Sequence, residues 1–477
     1  MKEFPFLKNR LNKVYKKKGG DEVTETLNAA EKKHFYKQML AIGLPVMLQQ
    51  LIVVGLNLAD TIMVGKISEN ALAAVGAANQ VYFVYSVLIF GIFSGAGVYL
   101  VQYWGIRDLK SLRKILGIDY VVCVAVTVPV ILLAYFASPV LVGLFTEDSE
   151  VISLGSDYMK IACFSYIFSA LTFVISYNSR ATAILKIPTI VNGCAISLNI
   201  FLNYCLIYDK LGMPELGVRG AAIATLVARI AECAAMFIYV YASKDNPLKA
   251  TLKELGAFTR ELFAGVMKTA VPVIINEAMW ALSVAIIFAI YGYIGPTALA
   301  IVQVANTVTD VFQTAYAGLG NASAVIVGQT LGQGKKELAY RYSSMVLKAT
   351  WALNIVMTLI LIAIRGIVAD IYDFNPHTTR LLMEALLVYA VAITPKMLAY
   401  LIICGILRAG GDTMYCMLID VGFNVLLQIP LALIAVKVLQ LSLPFAIAVV
   451  AISDFAKVIL CYQRYFSKKW VNVFTGM

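Results

Sequence analysis

MLAIGLPVMLQQLIVVGLNLADTIMVG, residues 39–65, is an apolar helix long enough to cross a bilayer that closes on a carboxylate. Between Lys37 and Asp60 stand 22 uncharged residues, more than the roughly 20 that span a hydrocarbon core. Asp60 is therefore expected inside the membrane, near its far side. A carboxylate there costs about 2.5 to 3.5 kcal/mol on insertion scales, so such residues face a protein interior or a wet cavity. At 100° per residue, Gln49 lies within about 20° of Asp60 around the helix and Asn57 about 60° away, which makes a polar stripe on an apolar rod. Two readings fit that stripe: a polar contact between packed helices, or an ion pathway.

The rest of the composition agrees with a membrane setting. Sixty per cent of the 477 residues are apolar and 14% charged, whereas a soluble domain has about half and a quarter. The first 38 residues are too long and polar for the head of a signal peptide, so the first helix is expected to stay in the mature protein. Eight cysteines lie scattered through apolar segments without C-x-x-C spacing, which gives neither a metal site nor a disulfide framework.

Twelve apolar segments follow one another, at about 38–63, 71–103, 116–145, 151–179, 188–208, 218–242, 262–292, 298–330, 341–369, 378–407, 413–437 and 442–464. The net charge of +11 raises a nucleic-acid reading, but the basic residues gather in alternate connections. Arg107, Lys110, Arg113 and Lys114, then Lys186, Lys244 to Lys268, Lys335, Arg341 and Arg408 all fall on one side. By the positive-inside rule that side is cytoplasmic, with both termini inside a cell membrane. Residues 1–37 read either as a basic amphipathic helix on an anionic lipid surface or as a solvated tail.

A repeat organises these helices. Gly65 and Gly292 stand 227 residues apart, and the same offset pairs Pro45 with Pro272, Asn79 with Asn306, Gly91 with Gly318, Gln102 with Gln329 and Gly105 with Gly332. An offset of six helices preserves orientation, so the repeat is parallel, with its axis along the membrane normal. The expected fold is all-α and polytopic: an N-lobe at 38–242, a linker at 243–261, a C-lobe at 262–464 and a tail at 465–477, with a central cavity between the lobes.

Several buried polar groups are candidates for chemistry. Asn192, Asn199 and Asn203 share one face of the fifth segment within about 40°, and can either coordinate a cation or bond across helices. Arg229 and Glu232 are spaced to pair. In the second half, Glu277 and Trp280 lie one turn apart, a surface suited to a cationic or aromatic ligand. Lys396, opposite in charge and also mid-span, is expected either to pair with Glu277 or to reach water. Asp420, Asn424 and Gln428 form another stripe. The run GQTLGQGKKE at 328–337 lacks the glycine and hydroxyl of a phosphate loop, and the two histidines sit outside the spans without a metal or nucleophile motif. Nothing points to an enzyme, a cofactor or ATP hydrolysis, so an ion gradient is the expected energy source.

DTIMVG at 60–65, ALAAVGAANQ at 71–80, PELGVRGAAIAT at 214–225, the Arg180 loop and LRAGGDT at 407–413 together resemble the multidrug and toxic compound extrusion (MATE) family over almost the whole chain after Lys37. The resemblance implies two six-helix lobes, alternating access, and export of cationic or amphipathic compounds in exchange for protons or sodium ions. It also implies an ion-coupling site at Asp60, with Asn199, Asn203 and Thr225 around it. Gln49, Asn57, Glu277, Trp280 and Lys396 are candidates for the substrate cavity. The chain departs from the family pattern in three places. Asn203 replaces an aspartate found in several members, Glu277 comes one turn early, and the tenth helix has Lys396 without an acid. With one matched carboxylate, a proton is the simpler coupling ion, and sodium at Asp60 is the alternative. A flippase for lipid-linked precursors and a receptor or scaffold that transports nothing are the competing functions.

Overall fold

The computed structural model describes residues 29–208, 212–371 and 374–475, with backbone alone at 56–59. The basic segment 1–28 and the side chain of Asn57 lie outside it. Helices account for nearly all of what is described, because inside lipid only a helix satisfies every backbone group locally. In chain order they are α1 (Ala29–Gly65), α2 (Glu69–Gly105), α3 (Leu109–Phe136), α4 (Ser149–Ala162 with Ser165–Ala181), α5 (Lys186–Ile207), α6 (Gly217–Ala242), α7 (Arg260–Gly292), α8 (Pro296–Gly332), α9 (Lys336–Ile371), α10 (Pro376–Gly410), α11 (Thr413–Val438) and α12 (Leu443–Phe466). Ten are long and apolar enough to cross a membrane unaided, and α4, bent by 50° at its break, makes eleven. The remaining one, α8, has the length but dilutes its apolar residues with Thr, Asn, Gln and Gly. Large apolar side chains such as Phe136, Ile238, Ile371 and Leu426 are exposed around the bundle, which is the surface lipid would cover.

Local sequence sets the ends. Asp108 caps α3 through Lys110 N and Ser111 N, both at 3.1 Å, and Thr259 and Asn375 do the same for α7 and α10, each oxygen satisfying N–H groups the helix leaves open. The connection between α6 and α7 carries a short capped helix, Leu252–Leu255, tied to α3 by the Arg113–Glu254 ion pair at 2.5 Å. Past Pro395, α10 widens into a π-helical stretch, Leu401–Leu407. That register shift comes immediately before Arg408.

The 227-residue repeat reappears in space. A Cβ on Gly105 would lie 2.3 Å from Gln329 O, and one on Gly332 would lie 2.0 Å from Gln102 O; each contact is the image of the other. Likewise Gly91 meets Ile274 and Gly318 meets Met47, so α2 crosses α7 as α8 crosses α1. Only glycine permits such close backbone approach. The lobes also trade helix ends. Phe35, Met39, Ile42 and Val46 of α1 pack into a core with Tyr316, Val346 and Leu401, whereas Val266 of α7 joins the core of α2 to α6. The lobes are thus closed on each other at the end that carries the basic connections, called the basic end below.

Candidate functional site

In the N-lobe the polar faces read from the sequence meet. Asn203 Nδ2 donates to Asp60 at 2.7 Å and to Asn199 Oδ1 at 3.2 Å, and Asn199 Nδ2 reaches Thr225 Oγ1 at 3.4 Å. Asn203 Oδ1 is buried and accepts from no donor among the described residues. Two turns deeper, Glu232 pairs with Arg229 at 2.7 Å and accepts from Asn192 at 2.9 Å. The common face of Asn192, Asn199 and Asn203 and the spacing of Arg229 with Glu232 are visible in the sequence; the tertiary fold adds that α5 presents its amides to α1 and α6 together. Gln49 also points at α5, bonding Thr189 at 2.9 Å, and accepts from Arg180 at 3.1 Å. It is 5% exposed and lies outside the cavity; Gln50, one residue and about 100° further round, lines it instead.

The cavity, of about 630 Å³, is set mainly in the C-lobe and closes against α1 and α2 at Val53, Phe83 and Phe90. Glu277, Trp280 and Lys396 all line it, and Trp280 is exposed to it. Glu277 does not pair with Lys396. Its partner is Arg408, at 2.7 Å, with side chains 15% and 4% exposed. The π-helical turn of α10 carries Arg408 round to α7, whereas Lys396 stands by Pro395, three turns earlier. From Arg408 a chain of charges runs on. With its amide turned to suit its neighbours, Asn276 accepts from Arg408 Nη2 at 2.5 Å and donates to Asp420 Oδ2 at 3.0 Å. Lys457 then binds Asp420 and Asn424, both at 2.9 Å, with Asp454 at 3.8 Å. Arg408 also reaches Ser94 Oγ in the other lobe at 3.4 Å. The sequence placed Asp420 and Asn424 on one stripe and Arg408 within LRAGGDT. Their connection through Asn276 depends on how α7, α10 and α11 pack.

The closed end is sealed by amides and the segment after α12. Gln329 donates to Ala181 O at 2.9 Å and Gln333 to Gly105 O at 3.2 Å. Gln102 accepts from Phe474 N at 2.8 Å, and Thr475 donates to Gly332 O at 2.9 Å. Trp470 beside them is fully buried. The described residues contain no group of three or more His, Cys, Asp or Glu side chains placed to hold a metal.

A lipid-embedded bundle of two pseudo-equivalent lobes, closed at one end around a polar cavity, is the build of a membrane transporter. The MatE family model matches residues 45–205 and again 272–434, starting points that differ by the same 227 residues. The chain belongs to this family of multidrug efflux transporters. It is 26% identical over 420 residues to the probable multidrug resistance protein NorM of Thermotoga maritima, covering 85% of this chain and 87% of that one. It is 27% identical over 429 residues to multidrug and toxin extrusion protein 1 of Oryctolagus cuniculus, covering 88% and 73%. A crystal structure of the Vibrio cholerae MATE transporter VcmN superposes with a TM-score of 0.83 at 16% identity, covering 92% of this chain and 99% of that one.

Proposed function

We propose that the chain is a secondary active antiporter that exports cationic or amphipathic small molecules in exchange for protons or sodium ions. In this reading the basic end faces the cytoplasm of a cell membrane, so the lobes are closed inward and the cavity faces outward. The observation that carries the proposal is the polar cluster around Asp60, where α5 and α6 turn Asn203, Asn199 and Thr225 toward the carboxylate of α1. Glu277, Asp420 and Asp454 each face a cationic side chain. Asp60 is held by an amide and has no ion-pair partner among the described residues. A carboxylate within a span is costly without a counter-charge, and Asp60, half-buried where Asp119 is fully enclosed, is one that an incoming cation can reach and neutralise. A proton needs only its free oxygen. Sodium would recruit the oxygens of Asn203, Asn199 and Thr225 as well. Either one neutralises Asp60, loosens its bond to Asn203, and so changes how α1 sits on α5 and α6.

Substrate binds in this scheme against Trp280 and the apolar wall, and a cationic centre competes with Arg408 for Glu277. The mixed charges of the cavity, rather than a uniformly basic lining, favour this reading over a flippase for anionic lipid-linked precursors. The test is uptake of a cationic dye into proteoliposomes under an imposed proton or sodium gradient. Asp60→Asn should abolish gradient-driven movement while leaving insertion and folding intact; wild-type rates in that variant would sink the proposal. Movement that requires sodium at fixed pH would assign sodium, and movement on a pH gradient alone would assign the proton.

A further inference from the structure

On the axis between the lobes, toward the basic end, lies a second cavity of about 100 Å³. Its walls come in equivalent pairs 227 residues apart: Ser94 with Asn321, and Tyr177 with Cys404. Each lobe also contributes an arginine to it, Arg180 from α4 and Arg408 from α10, within one residue of that offset. The Nε of each arginine is buried and has no acceptor among the described residues. Buried arginine N–H groups are rarely left so, because each forfeits a hydrogen bond to water.

The two arginines are unequally partnered. Arg408, 3% exposed, has Glu277. Among the described residues Arg180 has only neutral partners, Gln49 Oε1 at 3.1 Å and the Tyr177 ring at 4.5 Å. Asn178 lines the same cavity, but its amide donates to Asp119 Oδ2 at 2.9 Å and to Val174 O at 2.8 Å. Arg180 therefore stands without a counter-ion within ion-pair distance among the described residues, and a small anion between the two guanidiniums would give each Nε an acceptor. The space has room for a chloride ion, or for one carboxylate group with a few waters.

We propose that this cavity binds a small monoanion, chloride or a carboxylate group, between Arg180 and Arg408. Because each lobe supplies one arginine, the anion bridges the lobes in the conformation closed at the basic end, and is released when the lobes part. It is thus a ligand of one conformer and shifts the equilibrium toward it. The assignment needs neither the coupling ion nor the direction of export.

The test uses the full chain in detergent at constant ionic strength, with chloride titrated against gluconate, which is too large for the cavity. Chloride should raise the melting temperature saturably, as binding to one state requires, and should shorten the distance between spin labels at Lys110 and Lys336. Arg180→Gln should raise the half-saturating chloride concentration by about tenfold or more, with Arg180→Lys retaining part of the effect. If Arg180→Gln folds poorly, bromide located by anomalous scattering in wild-type crystals replaces it as the readout, and should lie between the two guanidiniums. Equal behaviour in chloride and gluconate overturns the proposal, as does a saturable effect that survives Arg180→Gln, or bromide bound elsewhere alone. Competition with chloride by a transported dye that carries a carboxylate, but not by its ester, would make substrate the source of the anion. Competition by acetate alone would make it a free solute. Asp60→Asn should keep the chloride effect, so the two proposals fail separately.

Discussion

Replacing Gly332 by alanine should open the basic end. Its Cβ would stand 2.0 Å from Gln102 O and 2.6 Å from that residue's C and Cα. Ordinary contact needs about 3.4 Å or more, so the two backbones must part by over an ångström. The atoms in the way are backbone, which cannot swing aside. Moving α8 off α2 also stretches the bonds from Gln333 to Gly105 O, from Phe474 N to Gln102 and from Thr475 to Gly332 O. Overpacking of this kind costs about 1 to 3 kcal/mol. If the open conformer lacks the contact, that cost shifts the ratio of open to closed forms by about 5- to 150-fold. The equivalent substitution, Gly105→Ala, meets Gln329 O at 2.3 Å and should act the same way. Gly76→Ala on α2 has nothing within 4 Å and controls for the gain in helix propensity. Electron–electron distance measurements between labels at Lys110 and Lys336, both exposed, should show a longer population in the first two variants and not in the third. A wild-type distance distribution for Gly332→Ala, with unchanged melting temperature, would refute the reasoning.

Other outcomes follow from the buried charges and the linker. Glu277→Gln strands Arg408 and should destabilise by about 3 to 5 kcal/mol, read as earlier loss of monodisperse protein on heating; pairing it with Arg408→Met should recover much of that loss. Lys396→Ala should leave stability near wild type, because Glu277 pairs with Arg408 instead; a loss equal to that of Glu277→Gln would overturn the assignment. Lys457→Met leaves Asp420 and Asp454 without their shared cation and should lower the melting temperature, with Lys457→Arg retaining part of the lost stability. At the linker, hydrogen bonds from the Thr251 backbone and hydroxyl, and then the Arg113 guanidinium, hold the Glu254 carboxyl below its usual range. A depressed carboxylate stabilises the docked linker above its unfolded pKa and loses that effect as pH falls through the folded one. Protease cleavage within 243–259 should therefore rise only in strong acid for wild type, and Glu254→Gln should be cut at neutral pH.

How far these features could be read in advance depends on the range over which each is decided. Hydropathy and helix phase are local, so twelve spans and the common face of Asn192, Asn199 and Asn203 were legible residue by residue. The repeat was legible too, since an offset of 227 needs no geometry to detect, and it carried the two-lobe plan with it. Facing partners were another matter. Asp60 and Asn203 are 143 positions apart, and only the packing of α1 on α5 brings them to 2.7 Å.

The C-lobe shows the limit more sharply. Opposite charge and similar depth pointed Glu277 to Lys396, but depth leaves the rotation of each helix open. A π-helical turn in α10 and the crossing of α7 with α11 deliver Arg408 to Glu277 instead, and leave Lys396 on the cavity wall. The sequence by itself determined which groups lie within the membrane, and that each must be neutralised, because desolvation depends on depth and charge alone. Which partner neutralises each was decided by the tertiary structure, because a hydrogen bond or ion pair forms only within about 3 to 4 Å, a scale set by helix rotation, kinks and close glycine crossings.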